Sequence, residues 1–301
     1  MKKKLFALLV VCFHLVSISV FAQTNYPIPQ NPDTLRILGI GNSFTDDGMM
    51  YLPELLEAAG IKNVILGRLY IGGCSLEGHC IQDQKAPNEG QYIYYKSTEN
   101  KWEPGIKGTH LHTGIEDEKW DIIVLQQQSG KSGWYLTYQP WLTQLIEIVR
   151  MHSTNAGACI AWQQTWSYAK TSKHGEFSRY GKSGKMMYES IVNCNKQLME
   201  DSQINVIIPS GTTVQNLRQT ALCDSLEFTR DGFHLDYKIG RYAAACTWFQ
   251  ALVAPSLKTT LAGNPCRLAD TKYPLTDEEA LACQLAARRA CARLFEITVD
   301  K

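Results

Sequence analysis

The stretch Leu35-Arg36-Ile37-Leu38-Gly39-Ile40-Gly41-Asn42-Ser43-Phe44-Thr45 decides the predicted fold. An apolar run stops at Gly-Asn-Ser and a helical pattern from Met49 to Ala59 follows, which predicts a buried strand, a tight turn and a helix. Ser43 then lies at the carboxyl end of a strand, where ligands bind in open α/β sheets. For an isolated strand-turn-helix, a serine that caps the helix is the commoner case. Residues far downstream decide between these interpretations.

Four further apolar runs have the length and composition of buried parallel strands. They are Asn63–Tyr70, Trp120–Leu125, Gly157–Trp162 and Ile204–Ile208. Since a helical pattern follows each strand, the sequence predicts an α/β protein, a three-layer α/β/α sandwich around a five-stranded, mostly parallel sheet. Between about residues 80 and 118 the pattern weakens and predicts a hairpin inserted on the ligand-binding side.

The first 22 residues have the pattern of a secretory signal peptide. Lys2-Lys3-Lys4 precede a long apolar run, and Val20-Phe21-Ala22 form a small-residue cleavage site. We therefore expect cleavage near Ala22 and a periplasmic or secreted protein, and no other run is apolar enough to span a membrane. The formal net charge of +1 gives no indication of a nucleic-acid partner.

The mature chain divides into three predicted segments. Residues 23–34 form an amino-terminal extension, 35–253 the main domain and 254–301 a helical extension that packs on it. The last segment contains the capping-box pattern Thr276-Asp277-Glu278-Glu279 at the start of a helix. The sequence leaves the oligomeric state open.

The cysteines fit an oxidising compartment but do not define a disulfide pattern. Ten are present, and nine remain after the predicted cleavage. Cys74 with Cys80, or Cys266 with Cys283 or Cys291, are candidate pairs, and buried free thiols fit equally well.

Backbone-exposing and amide residues follow the second and third strands. The second strand ends in Gly72-Gly73, whose main-chain N–H groups can approach a ligand closely. The third ends in Gln126-Gln127-Gln128, and buried carboxamides need hydrogen-bond partners. Strand alternation puts Gln126 and Gln128 on one face, so we predict Gln128, supported by Gln126, as an oxyanion donor.

The segment Asp231-Gly232-Phe233-His234 completes a candidate catalytic site. In a turn that Gly232 permits, the carboxylate reaches the imidazole Nδ1–H and leaves Nε2 free to accept a proton from a serine hydroxyl. Alone this spacing is common. Together with Ser43 after the first strand, it supplies a nucleophile, a base and a group that orients the base.

With these motifs the chain resembles the SGNH (GDSL-like) hydrolase superfamily, and in particular the DUF4886 domains of exported bacterial proteins. The resemblance covers roughly Leu35 to Val253 and implies a flavodoxin-like SGNH hydrolase fold that needs no cofactor or metal. It implies that Ser43 is the nucleophile, that Asp231 and His234 complete the triad, and that the Ser43 and Gly73 N–H groups form the oxyanion hole. The superfamily carries G-x-N-D in its third block, whereas this chain has Gln126-Gln127-Gln128-Ser129, so a glutamine takes the place of the asparagine.

The expected function is hydrolysis of carboxylic esters, with acetyl groups on a carbohydrate as the expected substrate. Sugar rings pack on flat apolar faces with polar edges, and Trp162, Gln164, Trp166 and Trp134 are the candidate substrate-binding residues. For any single tryptophan, packing in the core is the more common role.

Three other functions remain compatible with the sequence. A protein of the same fold that has lost catalysis and binds carbohydrate would explain the altered third block. A metal-dependent hydrolase would use His79, His110, His112 or His234 as ligands. An adhesion or scaffold protein would bind a partner independently of Ser43.

Overall fold

The structure is a computed structural model of the chain and describes residues 27–202, 204 and 206–298. The predicted signal peptide, its cleavage site and residues 23–26 of the predicted extension lie outside the described residues.

A single mixed sheet forms the centre of the protein. Its strands are β1 (Leu35–Gly41), β2 (Val64–Tyr70), β3 (Tyr92–Ser97), β4 (Ile106–Thr109), β5 (Ile122–Leu125), β6 (Cys159–Gln163) and β7 (Ile207–Ile208). They lie in the order β4-β3-β2-β1-β5-β6-β7, and β2-β1-β5-β6-β7 are parallel neighbours. All five predicted strands are present, and the α/β prediction is confirmed.

The predicted strand number was wrong, because the inserted segment joins the sheet. β3 pairs antiparallel with β2, and β4 pairs antiparallel with β3. Without β3, one edge of β2 would expose unpaired N–H and C=O groups, and the hairpin satisfies them. Tyr92 and Tyr94 of β3 are buried as a result. The sheet therefore has seven strands.

Helices cover both faces of the sheet. They are α1 (Ser43–Met49), α2 (Leu52–Ala58), α3 (Leu76–Asp83), α4 (Leu111–Glu116), α5 (Trp141–His152), α6 (Gly184–Ser202), α7 (Ser210–Leu217), α8 (Ile239–Trp248), α9 (Ala254–Leu257) and α10 (Asp277–Ala292). One apolar core joins the sheet to α1, α2, α7, α8, α9 and α10, and a second joins its other face to α3, α4, α5 and α6.

The central strand β1 contributes to both cores. Leu35 and Ile37 belong to one core, Leu38 and Ile40 to the other, and all four side chains are fully buried. Such a strand reads as a continuous apolar run, as the sequence does. Since β1 is flanked by β2 and β5 in parallel, the three segments that leave these strands start at the same edge of the sheet.

The carboxyl-terminal helix α10 begins with the capping box that the sequence indicated. The Thr276 hydroxyl accepts a hydrogen bond from the Glu279 N–H, and the Glu279 carboxylate accepts one from the Thr276 N–H. The helix packs against α7 and α8.

The nine cysteines among the described residues are unpaired, and seven of them are buried. Burial raises the pKa of Cys74 and of Cys80 to about 12. These thiols are therefore protonated at neutral pH. Among the described residues, no helix has the length and apolar character that a membrane span requires.

Candidate active site

The turn after β1 is held by the Asn42 side chain. Asn42 Oδ1 accepts the Phe44 N–H at 3.0 Å and so caps α1, which begins at Ser43 and not at Met49 as predicted. Asn42 Nδ2 donates to the Cys74 carbonyl at 2.8 Å, in the loop after β2. A cap with these bonds positions Ser43 in the first turn of the helix, where its N–H has no intrahelical acceptor.

Gly41 allows this turn to pack closely. A Cβ atom on Gly41 would lie 2.1 Å from Thr45 Oγ1 and 3.1 Å from Gln126 Cγ. Any larger residue would displace α1 or the segment after β5.

The structure brings Ser43, His234 and Asp231 into one hydrogen-bonded chain. His234 Nε2 lies 2.8 Å from Ser43 Oγ, and His234 Nδ1 lies 2.6 Å from Asp231 Oδ2. Residues 191 positions apart in the sequence are thus in contact. The geometry matches that of a serine nucleophile, a general base and an orienting carboxylate.

The loop 229–236 positions the histidine through its own backbone. Asp231 Oδ1 accepts the N–H groups of Phe233 and His234 at 3.1 and 2.8 Å. Gly232 has a φ of +90°, and a Cβ there would meet the Ser172 backbone at 2.6 Å. Burial acts to raise the pKa of Asp231, but the bonds from the His234 ring and from the two N–H groups outweigh it, so this pKa is lowered.

A second carboxylate, which the sequence analysis did not single out, joins this loop to α1. Asp47 lies one turn after Ser43 and is fully buried. Its carboxylate accepts the Leu235 N–H at 2.9 Å, Arg241 Nε at 2.7 Å and Arg230 Nη1 at 3.1 Å. Burial raises the pKa of Asp47, and the guanidinium groups of Arg241 and Arg230 oppose that rise. Asp47 thereby connects the helix that carries the serine to the loop that carries the histidine.

Three of the predicted substrate-binding side chains lie in the interior, so their assignment was wrong. Trp162 and Trp166 are 1% and 0% exposed, and Gln164 is also fully buried. Gln164 Oε1 accepts hydrogen bonds from the Thr212 N–H and hydroxyl at 3.0 Å each. These groups have no face to offer a sugar.

Trp166 packs against residues next to Ser43 and His234. Its ring stacks on Phe44 with centroids 4.1 Å apart, and its Nε1 donates to the Phe233 carbonyl at 2.7 Å. It therefore packs between the residue after Ser43 and the residue before His234. Trp134 is 38% exposed, and the Arg179 guanidinium lies 3.8 Å from the centroid of its ring.

The glutamines after β5 are engaged within the protein. Gln126 is 1% exposed, donates to Asn42 Oδ1 at 2.7 Å and accepts the Thr45 hydroxyl at 2.8 Å. Gln126 therefore holds the serine turn, and its predicted supporting role as an oxyanion donor stays a prediction. Gln128 is half-buried, donates to Glu176 Oε2 at 3.0 Å and accepts the Lys131 N–H at 2.9 Å.

The two backbone N–H groups predicted for the oxyanion hole are free to bind a ligand. Within the described residues, neither the Ser43 nor the Gly73 N–H has a hydrogen-bond acceptor. Gly73 is exposed and has a φ of +65°, a left-handed conformation that glycine adopts at no cost.

The four histidines of the metal-dependent alternative do not together form a group with metal-ligand spacing. His79 is buried, and its Nδ1 lies 2.7 Å from the Tyr92 hydroxyl. Burial lowers the pKa of His79 to about 4. Among the described residues, the grouping with metal-ligand spacing is Asp83, His112 and His152, which includes His112 but not the other three histidines of that alternative.

The chain matches the family described as "Domain of unknown function (DUF4886)" over residues 36–266. A solved DUF4886 family protein from Bacteroides uniformis is 36% identical, with a TM-score of 0.78 over 88% of this chain and 98% of that one. The chain belongs to the DUF4886 family.

Other solved structures match this chain with lower identity and lower TM-scores. One is a putative SGNH hydrolase from Slackia heliotrinireducens, with 20% identity and a TM-score of 0.49 over 72% of this chain and 98% of that one. Another is a catalytic mutant of an acetylxylan esterase from Geobacillus stearothermophilus, with 11% identity and a TM-score of 0.48 over 74% and 95% of the two chains. Among the curated proteins, none matches the chain.

The hydrogen bonds of the Asp47 carboxylate predict that the isosteric change Asp47→Asn strongly lowers the stability of the DUF4886 protein. Asp47→Asn leaves two guanidinium groups facing a neutral amide, so the free energy of unfolding should fall by about 3 kcal/mol. Urea denaturation at neutral pH measures this free energy of unfolding. Asp270→Asn, at an exposed position, is the matched control and should change stability by less than about 0.5 kcal/mol. Equal stability of the two variants would show that the link does not hold the loop.

The lowered pKa of Asp231 predicts a pH-dependent contribution to stability. A carboxylate whose pKa is lower in the folded state stabilises that state above its unfolded pKa, and the contribution is lost as the pH falls through the folded value. The ordinary value is 3.8. Asp231→Asn should therefore have a lower melting temperature than the wild type at pH 7, and the difference should shrink below pH 3.8. A difference that is constant from pH 7 to pH 2.5 would contradict the assignment.

Proposed function

We propose that this DUF4886 protein is an exported serine hydrolase that cleaves carboxylic esters through an acyl-enzyme intermediate. The observation that carries the proposal is the continuous chain from Asp231 Oδ2 through the His234 ring to Ser43 Oγ, with spacings of 2.6 and 2.8 Å. A serine hydroxyl is a weak nucleophile until an adjacent base removes its proton. Here the Ser43 hydroxyl is in contact with its base, His234.

The reaction follows from this geometry. Ser43 Oγ attacks the ester carbonyl while His234 Nε2 takes its proton, and the Asp231 carboxylate stabilises the resulting imidazolium. The Ser43 and Gly73 N–H groups stabilise the oxyanion, with Gln128 as the predicted side-chain donor. His234 then protonates the leaving alcohol, and a water molecule activated by the same ring releases the acid from Ser43.

The surroundings of His234 favour a small acyl group. The centroids of the Phe233 and His234 rings are 4.1 Å apart and Phe233 is half-buried, and we propose that its ring is an apolar wall beside the base that limits the acyl group. We propose acetyl as the acyl group and a carbohydrate as the alcohol, with the exposed Trp134 as the remaining candidate for sugar contact. Export rests on the signal-peptide pattern, and a mature protein that begins at Gln23 would support it.

A catalytically impaired protein that binds carbohydrate is the second candidate. The observation in its favour is the third block, because Gln126 and Gln128 both bond to neighbouring protein groups. In that case the protein would bind a glycan but would not hydrolyse an ester.

Hydrolysis of p-nitrophenyl acetate separates the two candidates. The mature wild type should be well above the buffer rate, and Ser43→Ala and His234→Ala should each lower kcat/KM by at least about 10³-fold. Ser225→Ala, at an exposed position, serves as the control and should keep the full rate. If the wild type is no faster than Ser43→Ala, the esterase is rejected and glycan binding becomes the better account.

The chain length of the acyl group tests the proposed substrate class. With the Phe233 wall beside His234, kcat/KM for p-nitrophenyl acetate should exceed that for the octanoate ester by at least about tenfold, a difference of 1.4 kcal/mol in transition-state binding. Phe233→Ala should reduce the preference. A preference for octanoate would point to a lipid ester instead of an acetylated carbohydrate.

A further inference from the structure

Asp83, His112 and His152 form a second cluster of reactive side chains away from the triad. Asp83 ends α3, His112 lies in α4 and His152 ends α5, all in the same layer of helices. A carboxylate oxygen of Asp83 and one ring nitrogen of each histidine lie within 4.8 Å of one another. Three helices thus present one N,N,O set of potential ligands at a single point.

The two imidazole rings are in direct contact. Their centroids are 3.5 Å apart, and their planes differ by 12°. His112 Nε2 is in contact with Asp83 Oδ1, and His152 Nδ1 lies 2.7 Å from Glu116 Oε1. In the described part of the chain, the second nitrogen of each ring has no hydrogen-bond partner. Two imidazoles that each bond to a carboxylate and keep one nitrogen free have the donor chemistry of a metal site.

Glu116 lies where it can accept a hydrogen bond from His152 Nδ1–H. With Nδ1–H donated to Glu116, the lone pair of Nε2 is available to a ligand. Carboxylates behind metal-binding histidines commonly have this role, since they orient the ring and increase its basicity.

His110 is excluded as a ligand and instead supports His112. Its Nε2 lies 3.1 Å from the Lys85 carbonyl, and its Nδ1 accepts the His112 N–H at 3.3 Å. Its ring packs edge-on against the His112 ring, with centroids 4.4 Å apart. The two residues of the His110-x-His112 motif therefore have different roles: the first caps α4 and the second faces Asp83 and His152.

We propose that Asp83, His112 and His152 bind one divalent transition-metal ion, with zinc as the best fit, and that Glu116 orients His152. Two neutral imidazoles and a carboxylate match zinc, whereas magnesium and calcium prefer oxygen ligands alone. Because the two rings are stacked, their in-plane lone pairs do not point to a common centre. The His112 ring must therefore rotate and release its contact with Asp83 Oδ1 before both rings and the carboxylate can converge on the ion. The side chains of His112, Asp83 and His152 are 28%, 24% and 20% exposed, so an ion can enter from solvent.

A metal at this point would connect three helices. It would bridge the end of α3 to α4 and to the end of α5, which the Asp83–His112 and Glu116–His152 contacts already join. Binding to the folded state alone stabilises that state by mass action. The proposal is independent of the esterase, because none of its residues belongs to the triad.

Isothermal titration of untagged, chelator-treated protein with zinc chloride tests the proposal. The wild type should bind one zinc ion per chain and should not bind magnesium at the same concentration. Glu116→Gln should raise the zinc Kd by about tenfold, and His112→Gln combined with His152→Gln should abolish the binding. His174→Gln, a half-buried histidine outside the cluster, is the matched control and should bind as the wild type does.

A second measurement covers the case in which the double variant does not fold. Zinc should then raise the melting temperature of the wild type and of His174→Gln, but not that of Asp83→Asn. The proposal is overturned if the wild type takes up no zinc, or if the variants bind it as tightly as the control does. The cluster would in that case be two carboxylate–histidine pairs only.

Discussion

The buried carboxylate of Asp47 is the interaction on which the candidate active site depends. Ser43 belongs to a helix that β1 and its core position firmly, whereas His234 belongs to a loop with little regular structure. Asp47 accepts the Leu235 N–H and so fixes the loop relative to the helix. A buried carboxylate without a cationic partner would destabilise the folded state. Arg230 and Arg241 supply the positive charges that neutralise Asp47. The contact between Ser43 and His234 is a consequence of this link.

The amides after β5 have a comparable structural role. Gln126 bonds to Asn42 and Thr45, and Gln127 Oε1 accepts the Leu76 N–H at 3.1 Å at the start of α3. Together with the bond from Asn42 to the Cys74 carbonyl, they connect the segments that leave β1, β2 and β5. A network of this kind satisfies buried polar groups and gives the Ser43 turn a single conformation. The glutamines after β5 thus contribute to the frame of the site.

Local sequence patterns predicted much of the fold and of the candidate site. The five parallel strands are continuous apolar runs, and the Asp231–His234 spacing brings a carboxylate to an imidazole within one turn. The contact between Asp47 and Leu235 spans 188 positions and has no local pattern. The available sign was an acidic pair, Asp46-Asp47, three residues after Ser43 on an otherwise buried helix. Trp162 and Trp166 were assigned to a sugar because of their flat rings with polar edges, whereas both are buried and the intervening Gln163 and Gln164 bond inside the protein. The pairing of the hairpin with β2 likewise depends on tertiary contacts.

Covalent labelling tests the central claim, an activated Ser43, without requiring the natural substrate. A fluorophosphonate should add one equivalent to the wild type, and peptide mass spectrometry should locate it on Ser43. His234→Ala should react far more slowly, because the base that removes the serine proton is missing. An unlabelled wild type, or an adduct on a different serine, would contradict the account.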